Sequence, residues 1–126
     1  MTTKNHLVAV YGTLKKNGTN NYLLNTDDFL GKGKTRSAYP LVFGDYPYLI
    51  DREGIGHQIE IELYAVSQDT LNRLDALEGH PHFYNRSPIR VDVNNITFVC
   101  HVYFLSQGAV DKLDWQLLPF QKTYVV

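Results

Sequence analysis

Ile89-Arg90-Val91-Asp92-Val93-Asn94-Asn95-Ile96-Thr97-Phe98-Val99-Cys100 is the stretch that decides the fold class. Apolar and polar residues alternate from Ile89 to Val93, which is the period of a strand with one face buried. Two asparagines follow, the turn chemistry of a two-residue hairpin. Folding the chain there sets Val93 opposite Ile96, Val91 opposite Phe98 and Ile89 opposite Cys100, with Arg90 and Asp92 on the other face. Register and turn chemistry agree on an antiparallel hairpin, whose second strand is expected to run on to Leu105.

Working outward, Leu7 to Tyr11 is an unbroken apolar run stopped at Gly12, and reads as a short strand buried on both faces. Asn20 to Leu24 is expected to form one helical turn. Phe29 to Ser37 reads as an edge strand, and Leu41–Phe43 and Tyr48–Ile50 read as short extended pieces around the turn Gly44-Asp45-Tyr46-Pro47. From His57 to Val66 the alternation is clean, with Ile59, Ile61, Leu63 and Ala65 on one face and Gln58, Glu60, Glu62 and Tyr64 on the other. This predicts a long half-buried strand. Ser67 or Asp69 can cap a helix that runs to Glu78 and stops at Gly79, with Pro81 beyond. Gly108 to Phe120 reads as loop or short helix, and Lys122 to Val126 as a strand that closes a sheet. Many strands with one clear helix make the class α+β, and hiding the sheet edges calls for a small mixed β-barrel-like sheet flanked by a few helices.

The 126 residues fit one domain spanning 1–126. A net charge of -1 offers no basic field, so neither nucleic acid nor an anionic membrane is an expected partner. The apolar start Leu7-Val8-Ala9-Val10 is too short for a signal peptide or a membrane span, and the lone Cys100 has no disulfide partner within the chain. A cytoplasmic location is the expectation.

Two features stand out as candidate chemistry. On the helix, Leu71, Leu74 and Leu77 form one stripe, and Glu78 falls within the same arc, four residues after Leu74. A carboxylate on an apolar face in a helix's last turn has burial and exposed carbonyls both pushing its pKa upward, the conditions for a general acid or base. A frayed helix end that lets Glu78 swing into water is the alternative. Asp75, at the stripe's edge, receives no role. The second feature is the turn Tyr11-Gly12-Thr13-Leu14 directly after a buried strand. Gly12 permits a strained backbone or a close approach by a ligand, and the successive amides can bind a carboxylate or carbonyl oxygen. An ordinary strand-ending turn is the alternative there.

Other motifs carry less. Gly33-Lys34-Thr35 lacks the first glycine of a phosphate-binding loop, and Asp28 stands in its place. His80-Pro81-His82 has no third ligand at a recognised spacing, so no metal site is expected. Glu60 and Glu62 share a strand face that reads as solvated, and Cys100 reads as a buried packing thiol.

Val8-Ala9-Val10-Tyr11-Gly12-Thr13-Leu14-Lys15, Tyr39-Pro40-Leu41-Val42, Glu62-Leu63-Tyr64-Ala65-Val66 and Leu74 to Arg86 (LDALEGHPHFYNR) resemble, in that order, the γ-glutamylcyclotransferase-like proteins. Within that family the likeness is greatest to the γ-glutamylamine cyclotransferases, although Gly79-His80 departs from their pattern after the glutamate. The resemblance implies a small barrel of mixed strands and conversion of a small-molecule γ-glutamyl amine or peptide to 5-oxoproline and free amine. It implies Glu78 as catalytic acid/base, Tyr11, Gly12, Thr13 and Leu14 as the substrate-binding turn, and Tyr84 beside the pocket. No cofactor and no metal are expected for a substrate whose own amine attacks. A non-catalytic small-molecule binding domain on the same fold is the competing expectation.

Overall fold

The structure is a computed structural model that describes residues 3–25 and 28–126. Its strands are β1 (His6–Val10), β2 (Phe29–Thr35), β3 (Leu41–Phe43), β4 (Pro47–Leu49), β5 (Glu60–Val66), β6 (Tyr84–Val93) and β7 (Ile96–Leu105). Helix α1 (Gln68–Glu78) separates β5 from β6, and the short α2 (Gln107–Val110) follows β7. Single 3-10 turns lie at Asn21–Leu23 and Trp115–Leu117.

Five strands close into a barrel in the order β1-β5-β2-β6-β7, and β3 and β4 form a separate two-stranded sheet. The hairpin has the expected register, with Val93 opposite Ile96, Val91 opposite Phe98 and Ile89 opposite Cys100, and it extends back to pair Tyr84 with Leu105. Asn94 and Asn95 both hold positive φ, 52° and 65°, as a twist-matched two-residue turn demands. Closure comes from β1 lying parallel to β7 at Val8 and His101. That single parallel seam makes the barrel mixed.

Alternation along the strands divides the core in two. Ala9, Ile61, Leu63, Ile89, Val91, Val93, Cys100, Val102 and Phe104 form one buried cluster, which the strand alternation places inside the barrel. Val8, Val10, Tyr64, Val66, Tyr103 and Leu105 belong to a second cluster completed by Leu71 and Leu74 of α1 and by Trp115. The helix therefore covers the outer face of the barrel. Ser67 caps it by accepting from the Thr70 amide at 3.2 Å, and Gly79 ends it in the left-handed region at φ 65°.

Four expectations need correction. β2 is no edge strand, because barrel closure puts β5 on one side of it and β6 on the other. Its Gly33 lies so close to β6 that a Cβ would sit 2.1 Å from the Asp92 carbonyl oxygen. β5 is not half-buried, since α1 covers the outward side chains Tyr64 and Val66. Glu62 is likewise not solvated: it is 4% exposed, accepting from the Tyr64 hydroxyl at 2.9 Å and the Lys16 amide at 2.8 Å. The tail Lys122–Val126 forms no strand, although the Lys122 carbonyl accepts from the Glu60 amide. The sheet is closed instead by β1 against β7. No helix among the described residues is long and apolar enough to cross a membrane.

Candidate active site

Beyond the C-terminal end of β1 the chain turns sharply through residues 11–14, and α1 ends nearby. Leu71 and Leu74 are buried and press α1 onto the barrel, each contributing on the order of 1.5–3 kcal/mol. This fixes the helical phase of Glu78. Gly79 stops the helix immediately afterwards, so Glu78 is the last helical residue rather than part of a frayed end. Leu77 departs from the expected buried stripe: it is 41% exposed and contributes to the lining of a cavity.

That cavity has a volume of about 430 Å³. Around it the structure brings together Tyr11, Gly12, Thr13, Leu14, Glu78 and Tyr84, with Asn20, Tyr46, Pro47, Phe83 and Tyr103. Glu78 is the one side chain of this lining that carries a charge at neutral pH. Among the described residues nothing hydrogen-bonds its carboxylate, and burial pushes its pKa up to about 7. A carboxyl group with that pKa can both take and give a proton near neutrality.

The turn supplies the complementary chemistry. Its shape is held by the Lys15 amide on the Gly12 carbonyl at 3.0 Å and by Asn20, whose amide N–H donates to the Thr13 carbonyl at 3.1 Å and whose Nδ2 donates to Thr13 Oγ1 at 2.8 Å. The Gly12, Thr13 and Leu14 amides donate to no acceptor among the described residues, which leaves three successive N–H groups for a ligand anion. Of the two uses open to Gly12, a strained backbone is not the one taken, since its φ is not positive. Glycine is required instead by packing: a Cβ there would come 2.9 Å from Pro47 Cγ.

Three of the four lining tyrosines are buried. Tyr11 donates to the Tyr103 carbonyl at 2.6 Å, and Tyr84 donates to the Pro47 carbonyl at 2.8 Å. Tyr103 donates to Asp75 Oδ1 at 2.6 Å. Burial raises the pKa of all three phenols, and Glu78 nearby raises them further, so they stay protonated. Asp75 is also held by a two-pronged pair with Arg86, at 2.8 Å from Nε and 3.0 Å from Nη2. Burial alone would raise the Asp75 pKa, but the bonds from Arg86 and Tyr103 outweigh it and hold the carboxyl below its usual range.

Sequence reading did not single out Asn20, Tyr46, Phe83 or Tyr103, or the Asp75–Arg86 pair. Phe83 and Arg86 flank Tyr84 within a quoted motif, but no local pattern marks Tyr103, which is one more alternating residue of a long strand. His80 uses Nδ1 to accept from the Arg86 amide at 3.0 Å. Among the described residues no three His, Cys, Asp or Glu side chains are grouped to hold a metal ion. Cys100 is 3% exposed and burial pushes its thiol up to about 12, as fits a packing residue.

Comparison with known proteins agrees with this architecture. A crystal structure of an AIG2-like protein from Mus musculus superposes with a TM-score of 0.85 at 30% identity, covering 95% of this chain and 88% of that one. A gamma-glutamylaminecyclotransferase from Rattus norvegicus is 31% identical over 133 residues, spanning 93% of this chain and 87% of its own. The Homo sapiens gamma-glutamylaminecyclotransferase is 37% identical over 95 residues, 69% of this chain and 62% of its own. Residues 8–119, from the first barrel strand to beyond the last 3-10 turn, match the profile of one enzyme family. This chain belongs to that family, gamma-glutamyl cyclotransferase, AIG2-like, and is a cyclotransferase-type enzyme.

Proposed function

We propose that the protein converts a γ-glutamyl amine or peptide into 5-oxoproline and free amine, with Glu78 as general acid/base. The observation that carries this reading is a carboxyl group held near pKa 7, alone in charge within a small tyrosine-lined cavity and facing a turn with three unused amides. Such a site has no activated serine or cysteine. It suits a substrate that brings its own nucleophile.

The α-ammonium of a γ-glutamyl group gives one proton to the Glu78 carboxylate, and the freed amine attacks its own γ-carbonyl to form a five-membered ring. The ring nitrogen then loses a second proton as the original C–N bond breaks. The departing nitrogen takes up both protons and leaves as an ammonium. Glu78 passes them one at a time, and its pKa near neutrality keeps both protonation states accessible. The amides of Gly12, Thr13 and Leu14 anchor the substrate's α-carboxylate or the oxyanion, while the cavity holds the chain folded for attack.

Release of 5-oxoproline from a panel of γ-glutamyl amines and peptides tests the proposal. Wild type is expected to turn over at least one member, and Glu78→Gln to lose nearly all activity. Equal release by both proteins would remove Glu78 as the base. Saturable binding without turnover, indifferent to Glu78→Gln, would favour a binding domain instead.

A further inference from the structure

We propose that Tyr103 and Arg86 are positioning residues that set the placement of Glu78 against the Gly12–Leu14 turn; the inference rests on the acid/base role proposed above. Tyr103 and Arg86 are direct cross-strand partners on β7 and β6, in a ladder of ten residue pairs. Both side chains converge on Asp75, three residues before Glu78 on α1.

The helix needs this attachment. Its buried residues are Leu71 and Leu74, and beyond Leu74 the last turn has no buried apolar side chain, since Ala76 and Leu77 are exposed. Asp75 is what ties that turn to the barrel wall. Arg86 also grips the chain on the other side of Glu78, because its main-chain N–H donates to the His80 imidazole at 3.0 Å. One residue of β6 thus brackets Glu78 from both directions.

Tyr103 completes the link to the substrate-binding side. Its hydroxyl donates to Asp75 at 2.6 Å while its carbonyl accepts from the Tyr11 hydroxyl at 2.6 Å. The turn that begins at Tyr11 and the helix that ends at Glu78 are therefore referenced to the same residue of the barrel. A fork of charge-assisted bonds fixes direction as well as distance, which a packed leucine does not. An acid/base group must be held to a fraction of an ångström, and a displacement of about 1 Å costs on the order of a hundredfold in rate.

The test uses Tyr103→Phe, which removes one hydroxyl and keeps both ring and carbonyl, and Arg86→Lys, which keeps the charge and loses the fork. Each is expected to lower kcat about tenfold or more while KM stays within about threefold, the mark of a group that acts on the chemical step. Unfolding transitions report the folded fraction. In parallel, the Glu78 carboxyl is titrated by carbon NMR, and in both variants its pKa is expected to fall as the loosened helix end admits water. Unchanged kcat and unchanged Glu78 titration in both variants would overturn the proposal, as would a rate loss explained wholly by the unfolded fraction. If wild type forms no 5-oxoproline from any substrate, the functional reading fails, and the Glu78 titration still decides whether Tyr103 and Arg86 position it.

Discussion

Asp75 and Glu78 stand three residues apart on one helix, and their surroundings shift their pKa values in opposite directions. Both are penalised by burial, but Asp75 receives Arg86 and Tyr103 and is held below its usual range, whereas Glu78 has no such partner and rises to about 7. Two carboxyl groups of similar intrinsic acidity are thereby placed in different states near neutrality, which is the basis for proposing one as a helix anchor and the other as a proton carrier.

Glu78 should make the protein less stable as pH rises. Its carboxyl goes from an ordinary 4.5 to about 7 on folding, so between those values the folded state binds more protons than the unfolded one. Its stabilising contribution is fully present below about 4.5 and lost by pH 7, a decline of up to about 3 kcal/mol. Denaturant unfolding of Glu78→Gln from pH 4 to 8 is expected to lack this decline. The acid limb of wild-type kcat/KM should show an apparent pKa near 7 that the variant does not reproduce.

Gly12→Ala should damage both stability and binding. The new methyl would press on Pro47 at 2.9 Å, and relief requires the turn or the proline to move. A loss of about 1–3 kcal/mol is expected from overpacking, with a raised KM because the three amides shift with the turn. Parallel denaturation and steady-state kinetics would show it; an unchanged KM in a folded variant would argue against a binding role for the turn.

Leu74→Ala should remove the contact that seats α1. Leu74 is fully buried between helix and barrel, so a loss of about 2–5 kcal/mol is expected. Residual activity of the folded fraction should fall as well, since Glu78 lies one turn further along the same helix. Thermal unfolding combined with activity per folded molecule separates the two effects.

The hairpin turn offers a control remote from the cavity. Asn95 holds φ 65°, where a β-branched residue is strained, so Asn95→Val should cost about 1–2 kcal/mol and Asn95→Gly should be tolerated. Neither change should alter KM for a folded protein. Chemical denaturation and kinetics of the pair check both statements.

Much of this was legible along the chain because it depends on local periodicity. The hairpin at Asn94-Asn95, the Ser67 cap, the Gly79 stop and the place of Glu78 on the stripe of Leu71 and Leu74 follow from side-chain alternation and backbone preference over about ten residues. Errors arose where burial is imposed by distant elements. Glu62 read as solvated because its strand alternates cleanly, yet the Lys16 amide and the Tyr64 hydroxyl enclose it. β2 read as an edge because nothing in its own residues announces neighbours on both sides.

The sequence by itself determined the strands of the hairpin and their register, the helix that ends at Gly79 and the presence of a carboxylate on the apolar side of its last turn, since each is set by residues within a few turns of one another. Only the tertiary structure decided that β1 closes the barrel against β7, that the Tyr11 turn and Glu78 face one cavity, and that Tyr103 and Arg86 meet at Asp75. Those relationships join residues far apart in the chain. They exist because closing the barrel and burying the apolar faces on both sides of it bring those distant residues together.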